Sequence, residues 1–347
     1  PWNPAHRLAR IGIKGKEIEE QRPPSNLVFL LDVSGSMNRA NKLPLVVDGM
    51  KMLVRQLGEN DSVAIVVYAG AAGLVLEPTT GDQKKTIIGA LDRLRAGGST
   101  NGGQGIQLAY SVARDNFIVG GTNRVILCSD GDFNVGVTGT DQLVQMAAEN
   151  AKSDIFLSVL GFGMGNHNDK MMEKISNSGN GNYAFIDTKD EARKVLVEQM
   201  QGTLVTIAKD VKIQVEFNPM EVASYRLIGY ENRVLAAKDF NDDTKDAGEI
   251  GAGHSVTALY EIVPNPNRRP NGDERKLIDD LRYQRNVRLS PEAESGELLT
   301  LKLRYKPPTG DKSTLIEFPV IDKGKQFAET GSDFQFAASV AAFGMLL

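Results

Sequence analysis

Residues 27–36 read Leu27-Val28-Phe29-Leu30-Leu31-Asp32-Val33-Ser34-Gly35-Ser36, and the change of character halfway along decides the fold. Five consecutive apolar residues mark a strand buried on both faces, the kind found inside a parallel sheet flanked by helices. The chain turns polar directly afterwards, which puts Asp32 and two serines in the loop at the strand's carboxyl end. Beyond the loop, Val46, Val47, Met50, Leu53, Val54 and Leu57 recur with a helical period across Lys42–Leu57. Asn41 is placed as a cap for this helix and Pro44 fits its first turn. The alternation continues, with strands expected at Val63–Tyr68, Arg124–Ser129, Ile155–Leu160 and Tyr183–Ile186. Helices are expected at Gln83–Arg95, Gly103–Asp115, Asp141–Lys152, Asp169–Asn177 and Lys189–Thr203. Strands and helices in this order imply an α/β, doubly wound, mostly parallel sheet.

Near residue 205 the apolar period changes to two. Val211, Ile213, Val215 and Phe217 alternate with Lys212, Gln214 and Glu216, the pattern of a half-buried strand. Tyr225–Tyr230, Val256–Val263, Leu298–Tyr305 and Leu315–Val320 read as further strands, and loops rich in Gly, Pro, Asn and Asp join them into an antiparallel β-sandwich-like domain. The expected division is therefore an N-terminal strand segment, 1–23, as a candidate to pair with the second domain. A parallel-sheet domain at 24–204, a β-rich domain at 205–330 and a C-terminal helix at 331–347 follow. Segment Pro264–Asp273, with paired Arg268-Arg269, reads as a mobile solvated loop.

Composition narrows the function. A chain of 347 residues suits two domains rather than one. With 40 Lys+Arg against 44 Asp+Glu, the net charge of −4 gives no basic surface for nucleic acid. The single cysteine, Cys128, excludes an intrachain disulfide and a cysteine zinc site, and its apolar strand makes it a small buried hydrophobe. His167 reads as a loop or cap residue at a helix start. The longest apolar run, at 336–347, is broken by Ser339 and Gly344 and is too short to span a bilayer. The opening Pro1-Trp2-Asn3-Pro4 and the closing Gly344-Met345-Leu346-Leu347 read as internal stretches of a longer protein.

Three loops carry the chemistry. In Asp32-Val33-Ser34-Gly35-Ser36 the oxygen-bearing side chains fall at alternate positions around a permissive glycine, so they can face one point. Gly97-Gly98-Ser99-Thr100-Asn101-Gly102-Gly103 opens a helix and offers Thr100. Cys128-Ser129-Asp130-Gly131-Asp132 leaves another apolar strand at the same sheet edge and offers Asp130. In an open α/β sheet, ligands gather at that edge. An all-oxygen set of carboxylates and hydroxyls suits a hard cation and not zinc. Taken singly, each loop also matches ordinary turn chemistry.

Together the three loops resemble the metal-ion-dependent adhesion site of von Willebrand factor type A domains. The resemblance implies that Ser34, Ser36 and Thr100 supply hydroxyls, and Asp32 and Asp130 supply carboxylates directly or through water, to Mg2+ (or Mn2+ or Ca2+). Asp132 falls outside the family's five positions. Two carboxylates against a divalent ion leave it electrophilic, with a place for an outside oxygen. The implied function is a non-enzymatic adhesion or assembly module whose protein partner offers an Asp or Glu carboxylate.

Ser129–Gly136, Gly161-Phe162-Gly163 and Asn177–Tyr183 further resemble a bacterial branch with a β-rich domain after the type A domain. That branch implies a cell-envelope address, periplasmic or surface, with membrane contact only through a lipid anchor outside this chain. Two alternatives use the same pocket: a metal-dependent phosphohydrolase, or a subunit of an ATPase-chaperone assembly. Against the hydrolase, Ser34 stands where a second carboxylate is needed, and no lysine or histidine is expected beside the loops.

Overall fold

The computed structural model describes residues 3–17, 22–98, 102–131, 140–163, 169–199, 205–229, 235–243, 247–266, 289–308, 310 and 312–346. The chain divides into two compact units: Gly15–Lys209 with Asp246–His254, and Pro1–Lys14 with Asp210–Lys245 and Ser255–Leu347.

The first unit is built on β2 (Ser25–Asp32), β3 (Ser62–Tyr68), β4 (Ala72–Thr80), β5 (Thr122–Ser129), β6 (Ile155–Phe162) and β7 (Tyr183–Ile186), in the spatial order β4-β3-β2-β5-β6-β7. All neighbouring pairs are parallel except β3 with β4. Every residue of β2, β5 and β6 is buried, as continuous apolar runs require when helices cover both faces. The edge strand β4 escapes the sequence pattern because Gly73, Pro78 and two threonines give it a loop's composition. Proline is tolerated on an edge because that strand has no outer neighbour to receive its N–H.

Helices α1 (Leu43–Gln56), α2 (Lys84–Asp92) and α6 (Lys189–Arg193) pack with Phe29, Leu31, Ile126 and Phe162 on one face of the sheet. Helices α3 (Gly102–Asp115), α4 (Thr140–Ala151) and α5 (Asp169–Ser178) pack with Leu30, Val125, Leu127 and Val159 on the other. Each fully buried aliphatic or aromatic side chain contributes roughly 1.5–3 kcal/mol. The cap of α1 is Lys42 rather than Asn41, with no side-chain cap bond, and Pro44 lies in the first turn. The helix expected at Lys189–Thr203 is helical to Arg193 and widens into a π-type turn over Lys194–Glu198. Residues 200–204 lie outside the described residues. The order of strands reverses between β2 and β5: the chain leaves β2 toward β3 on one side and later returns to place β5 on the other. This switch point leaves a crevice at the carboxyl ends of the two strands.

In the second unit, β1 (Arg7–Lys14) pairs antiparallel with β11 (Ser255–Pro264), which pairs antiparallel with β9 (Val222–Ile228). The unit also holds β12 (Leu299–Lys306), which pairs antiparallel with β13 (Thr314–Val320), and β8 (Thr206–Phe217) from Asp210 onward, while the short strand β10 (Gly248–Gly251) falls in the first unit. A final helix, α7, spans Ser332–Gly344. The alternation expected along β8 is inverted at one place: Lys212 is 2% exposed while Ile213 is 37% exposed. The buried ammonium is matched by the Asp210 carboxylate at 3.2 Å and by the carbonyl of Asp242 at 2.6 Å. Asp210 itself takes a left-handed conformation, φ 52°. Tyr230 and Arg268-Arg269 lie outside the described residues. No described helix is long and apolar enough to cross a membrane.

Candidate metal centre

β2 ends on Asp32, which lies opposite Tyr68 at the end of β3, while Leu31 one step earlier lies opposite Cys128 of β5. Asp32 is fully buried. Its Oδ1 accepts the Ser34 N–H at 2.9 Å, which folds the loop back over the strand end. Its Oδ2 accepts the Ser129 hydroxyl at 3.3 Å, and the Tyr68 hydroxyl interacts with the same two side chains. Burial is the main cause that pushes the Asp32 carboxyl above its usual range. Hydrogen bonds from Ser34 pull it down, and the Asp130 charge pushes it up again. A buried carboxylate disfavoured in this way, with a second one facing it, gains from a bound cation.

The loop after Asp32 is set by Met37, which is completely buried and closes a 3-10 turn over Gly35–Met37. The turn brings the Ser34 and Ser36 hydroxyls to 3.0 Å, the first buried and the second exposed, so the pair reaches from the strand end to the surface. The loop before α3 is docked by backbone bonds. Gly97 N–H donates to the Val33 carbonyl at 2.7 Å, and Gly35 N–H donates to the Gly98 carbonyl at 3.0 Å. Gly98 has φ +83°, which a side chain would strain. Thr100 lies outside the described residues, as do Asp132 and His167. The third loop turns at Gly131, φ +90°, whose N–H donates to the Ser129 hydroxyl at 3.3 Å.

The structure thus gathers Asp32, Ser34, Ser36 and Asp130 at the switch point, and it adds one group that the sequence did not reveal. Lys42 Nζ donates to Asp130 Oδ2 at 2.7 Å, with the two side chains 13% and 2% exposed. The expectation that no lysine accompanies these loops is overturned. The side chain reaches across 88 residues of sequence, which no local pattern encodes. One signal was present: a basic residue at a helix N-terminus opposes the helix dipole, so something else must hold it there. Ser129 and Tyr68 were also missed, and both shape the surroundings of Asp32. Cys128 is fully buried, and burial pushes its thiol up, so it has no nucleophilic character.

The donor set is entirely oxygen, which fits a hard divalent cation. Among the described residues no group of three or more His, Cys, Asp or Glu could hold a metal, so any ion here depends on the hydroxyls.

Residues 26–203 match the family described as von Willebrand factor type A domain, and the chain belongs to that family. Residues 202–347 match a second family, described as "Uncharacterized protein YfbK, C-terminal". YfbK of Escherichia coli (strain K12) is 44% identical over 348 residues, covering 100% of this chain and 59% of that protein. Protein sll0103 of Synechocystis is 29% identical over 193 residues, covering 54% of this chain and 44% of its own length. The match therefore spans only about half the length of these relatives. A solved structure, von Willebrand factor type A from Catenulispora acidiphila, superposes with a TM-score of 0.50 over 91% of this chain and 74% of that chain at 16% identity, and has the same fold.

Proposed function

We propose that this chain is a divalent-cation-dependent protein-binding module. Asp32, Ser34, Ser36 and Asp130, with Thr100 from the loop before α3, would hold Mg2+, with Mn2+ or Ca2+ as substitutes. The observation that carries this reading is the meeting of two buried carboxylates and a hydroxyl pair at the sheet's switch point. When bound, the ion supplies Lewis acidity toward an oxygen from outside the chain. The chain's own groups then have separable tasks. Ser129, Tyr68 and the Ser34 N–H orient Asp32. Met37 anchors the serine loop, and the Gly35 and Gly97 backbone bonds hold the loop that carries Thr100. A carboxylate of a partner's Asp or Glu is the natural outside ligand, because an anionic oxygen binds a hard Lewis-acidic ion more strongly than a neutral one.

Catalysis is the weaker reading. Lys42 gives a phosphohydrolase the cation it would use, yet Ser34 occupies the place of the second carboxylate, and no nucleophile–base pair is formed by the described residues. Docking to an ATPase-chaperone partner through the same ion is a special case of protein binding and differs only in who supplies the carboxylate. Residence in the cell envelope, with or without a lipid anchor outside this chain, is part of the proposal by family resemblance.

Binding to immobilised peptides that differ only by Glu→Gln tests the reading. Capture of glutamate peptides in Mg2+, lost in EDTA and lost in Ser34→Ala, is the expected result. Capture that survives EDTA would overturn it.

A further inference from the structure

Lys42 is placed too deliberately to be a surface lysine. Its backbone is fixed at the start of α1, where its N–H donates to the Arg39 carbonyl and its own carbonyl accepts the Val46 N–H, each at 2.9 Å. Its alkyl stem lies against Gly163, the residue after β6. A methyl group built on Gly163 would come within 2.8 Å of both Cγ and Cε of Lys42, and Gly163 has φ +86°. The glycine therefore keeps open the lane along which the ammonium reaches Asp130.

We infer that Lys42 is a built-in counter-ion, which a divalent cation must displace from Asp130 before it can occupy the site. This rests on the cation-site reading above and adds a regulatory element to it. The charge count shows why both cannot stay. Asp32 and Asp130 supply two negative charges; Lys42 balances one and leaves a net −1. A divalent ion added beside a retained ammonium makes the cluster net positive, with two cations on one buried carboxylate. A lysine with a flexible four-carbon stem and a partly exposed head can swing into solvent, so the exchange needs no backbone movement. Cation binding then carries the cost of breaking the Lys42–Asp130 pair, and the apparent affinity is lower than the donor set alone would give.

The test is Mn2+ binding, by isothermal calorimetry and by loss of the free-ion EPR signal, on the whole chain. Thermal unfolding in EDTA and in Mg2+ accompanies it. Lys42→Met keeps the stem and removes the charge. We expect it to bind Mn2+ about tenfold more tightly than the unmodified chain, about 1.4 kcal/mol. In EDTA its unfolding temperature falls, because Asp130 loses its ion pair with Lys42, and Mg2+ raises it by more than it raises the unmodified chain. A lysine with a purely structural role would lower both temperatures equally. Gly163→Ala, which crowds the stem without touching the charge, should also tighten binding, and it decides the matter if Lys42→Met does not fold in EDTA. Affinity that is unchanged or weaker in the folded variants overturns the counter-ion role while leaving the cation site standing. Absence of Mn2+ binding in the unmodified chain and in both variants overturns the inference and the cation site together.

Discussion

The two units bury different things. In the first, β2, β5 and β6 are inside along their whole length, and large apolar clusters cover both faces, with Asn26, Asn123, Arg124 and Ser158 buried among them. In the second, β13 has no buried residue, and the small core of Val222, Ile262 and Leu299 shares its interior with Asp210, Lys212 and Glu261. A stiff sheet can hold Asp32, with Asp130 nearby, in a place where burial works against its anion, and that is what a cation relieves. The second unit has a much smaller apolar core, so its matched charges carry a larger share of what it buries. Each unit should therefore fail in its own way.

The largest effect is expected from the first core. Phe29→Ala should cost about 3–5 kcal/mol, whereas Phe318→Ala, at a position 51% exposed on β13, should cost less than about 1 kcal/mol. Hydrogen exchange during denaturant titration reports the two units separately, and equal costs would erase the contrast. Asp210→Ala comes next. It strands Lys212 in the interior, at a cost of about 3 kcal/mol or more, while Asp210→Ala combined with Lys212→Met should recover most of that loss. If the double variant is as unstable as the single one, the ion pair is not what the second unit depends on.

A smaller effect separates two aspartates of the first unit by pH. Burial works against the Asp61 carboxylate, but hydrogen bonds from Arg22, Gly58 and Ser25 hold it below its ordinary value of 3.8. Its contribution is therefore complete above pH 3.8 and is lost as pH falls through its lower folded value. Asp32 has the opposite sign. Its folded value lies above 3.8, so its ionisation destabilises the metal-free chain as pH rises through that value. Asp32→Asn should raise the unfolding temperature in EDTA near neutral pH, not below pH 3.8, and should abolish the gain from Mg2+. A variant that is less stable in EDTA at neutral pH would contradict the sign. The smallest effect belongs to the surface of the second unit. Glu216→Ala, which removes a partner 2.9 Å from Lys302, should change stability by about 0–1 kcal/mol and less in high salt.

The same contrast explains what could be read from the sequence. Leu27–Leu31, and Ile155–Leu160 with Ser158 as its one interruption, announce themselves because a strand covered on both faces needs a near-continuous apolar run. The loops that follow such strands are then located by topology, which is why Asp32, Ser34, Ser36 and Asp130 were legible as one set. β4 was not legible, because an edge strand with Pro78 and Gly73 lacks that run. The burial of Lys212 was not legible either. A period of two assigns lysine to water, and only Asp210 and the Asp242 carbonyl, brought in by the fold, reverse the assignment. Lys42 belongs to the same class. Its partner is distant in the chain, and its lane exists because residue 163 is glycine.

The most direct measurement is a crystal structure of the chain grown with Mn2+, with the ion located by its anomalous scattering. We expect one ion within bonding distance, about 2.1 Å, of the Ser34 and Ser36 hydroxyls, with Asp32 and Asp130 close by, Thr100 completing the set and the Lys42 ammonium moved off Asp130. A site without an ion at millimolar Mn2+, or an ion held elsewhere with the Lys42–Asp130 pair intact, would contradict a cation-dependent binding function.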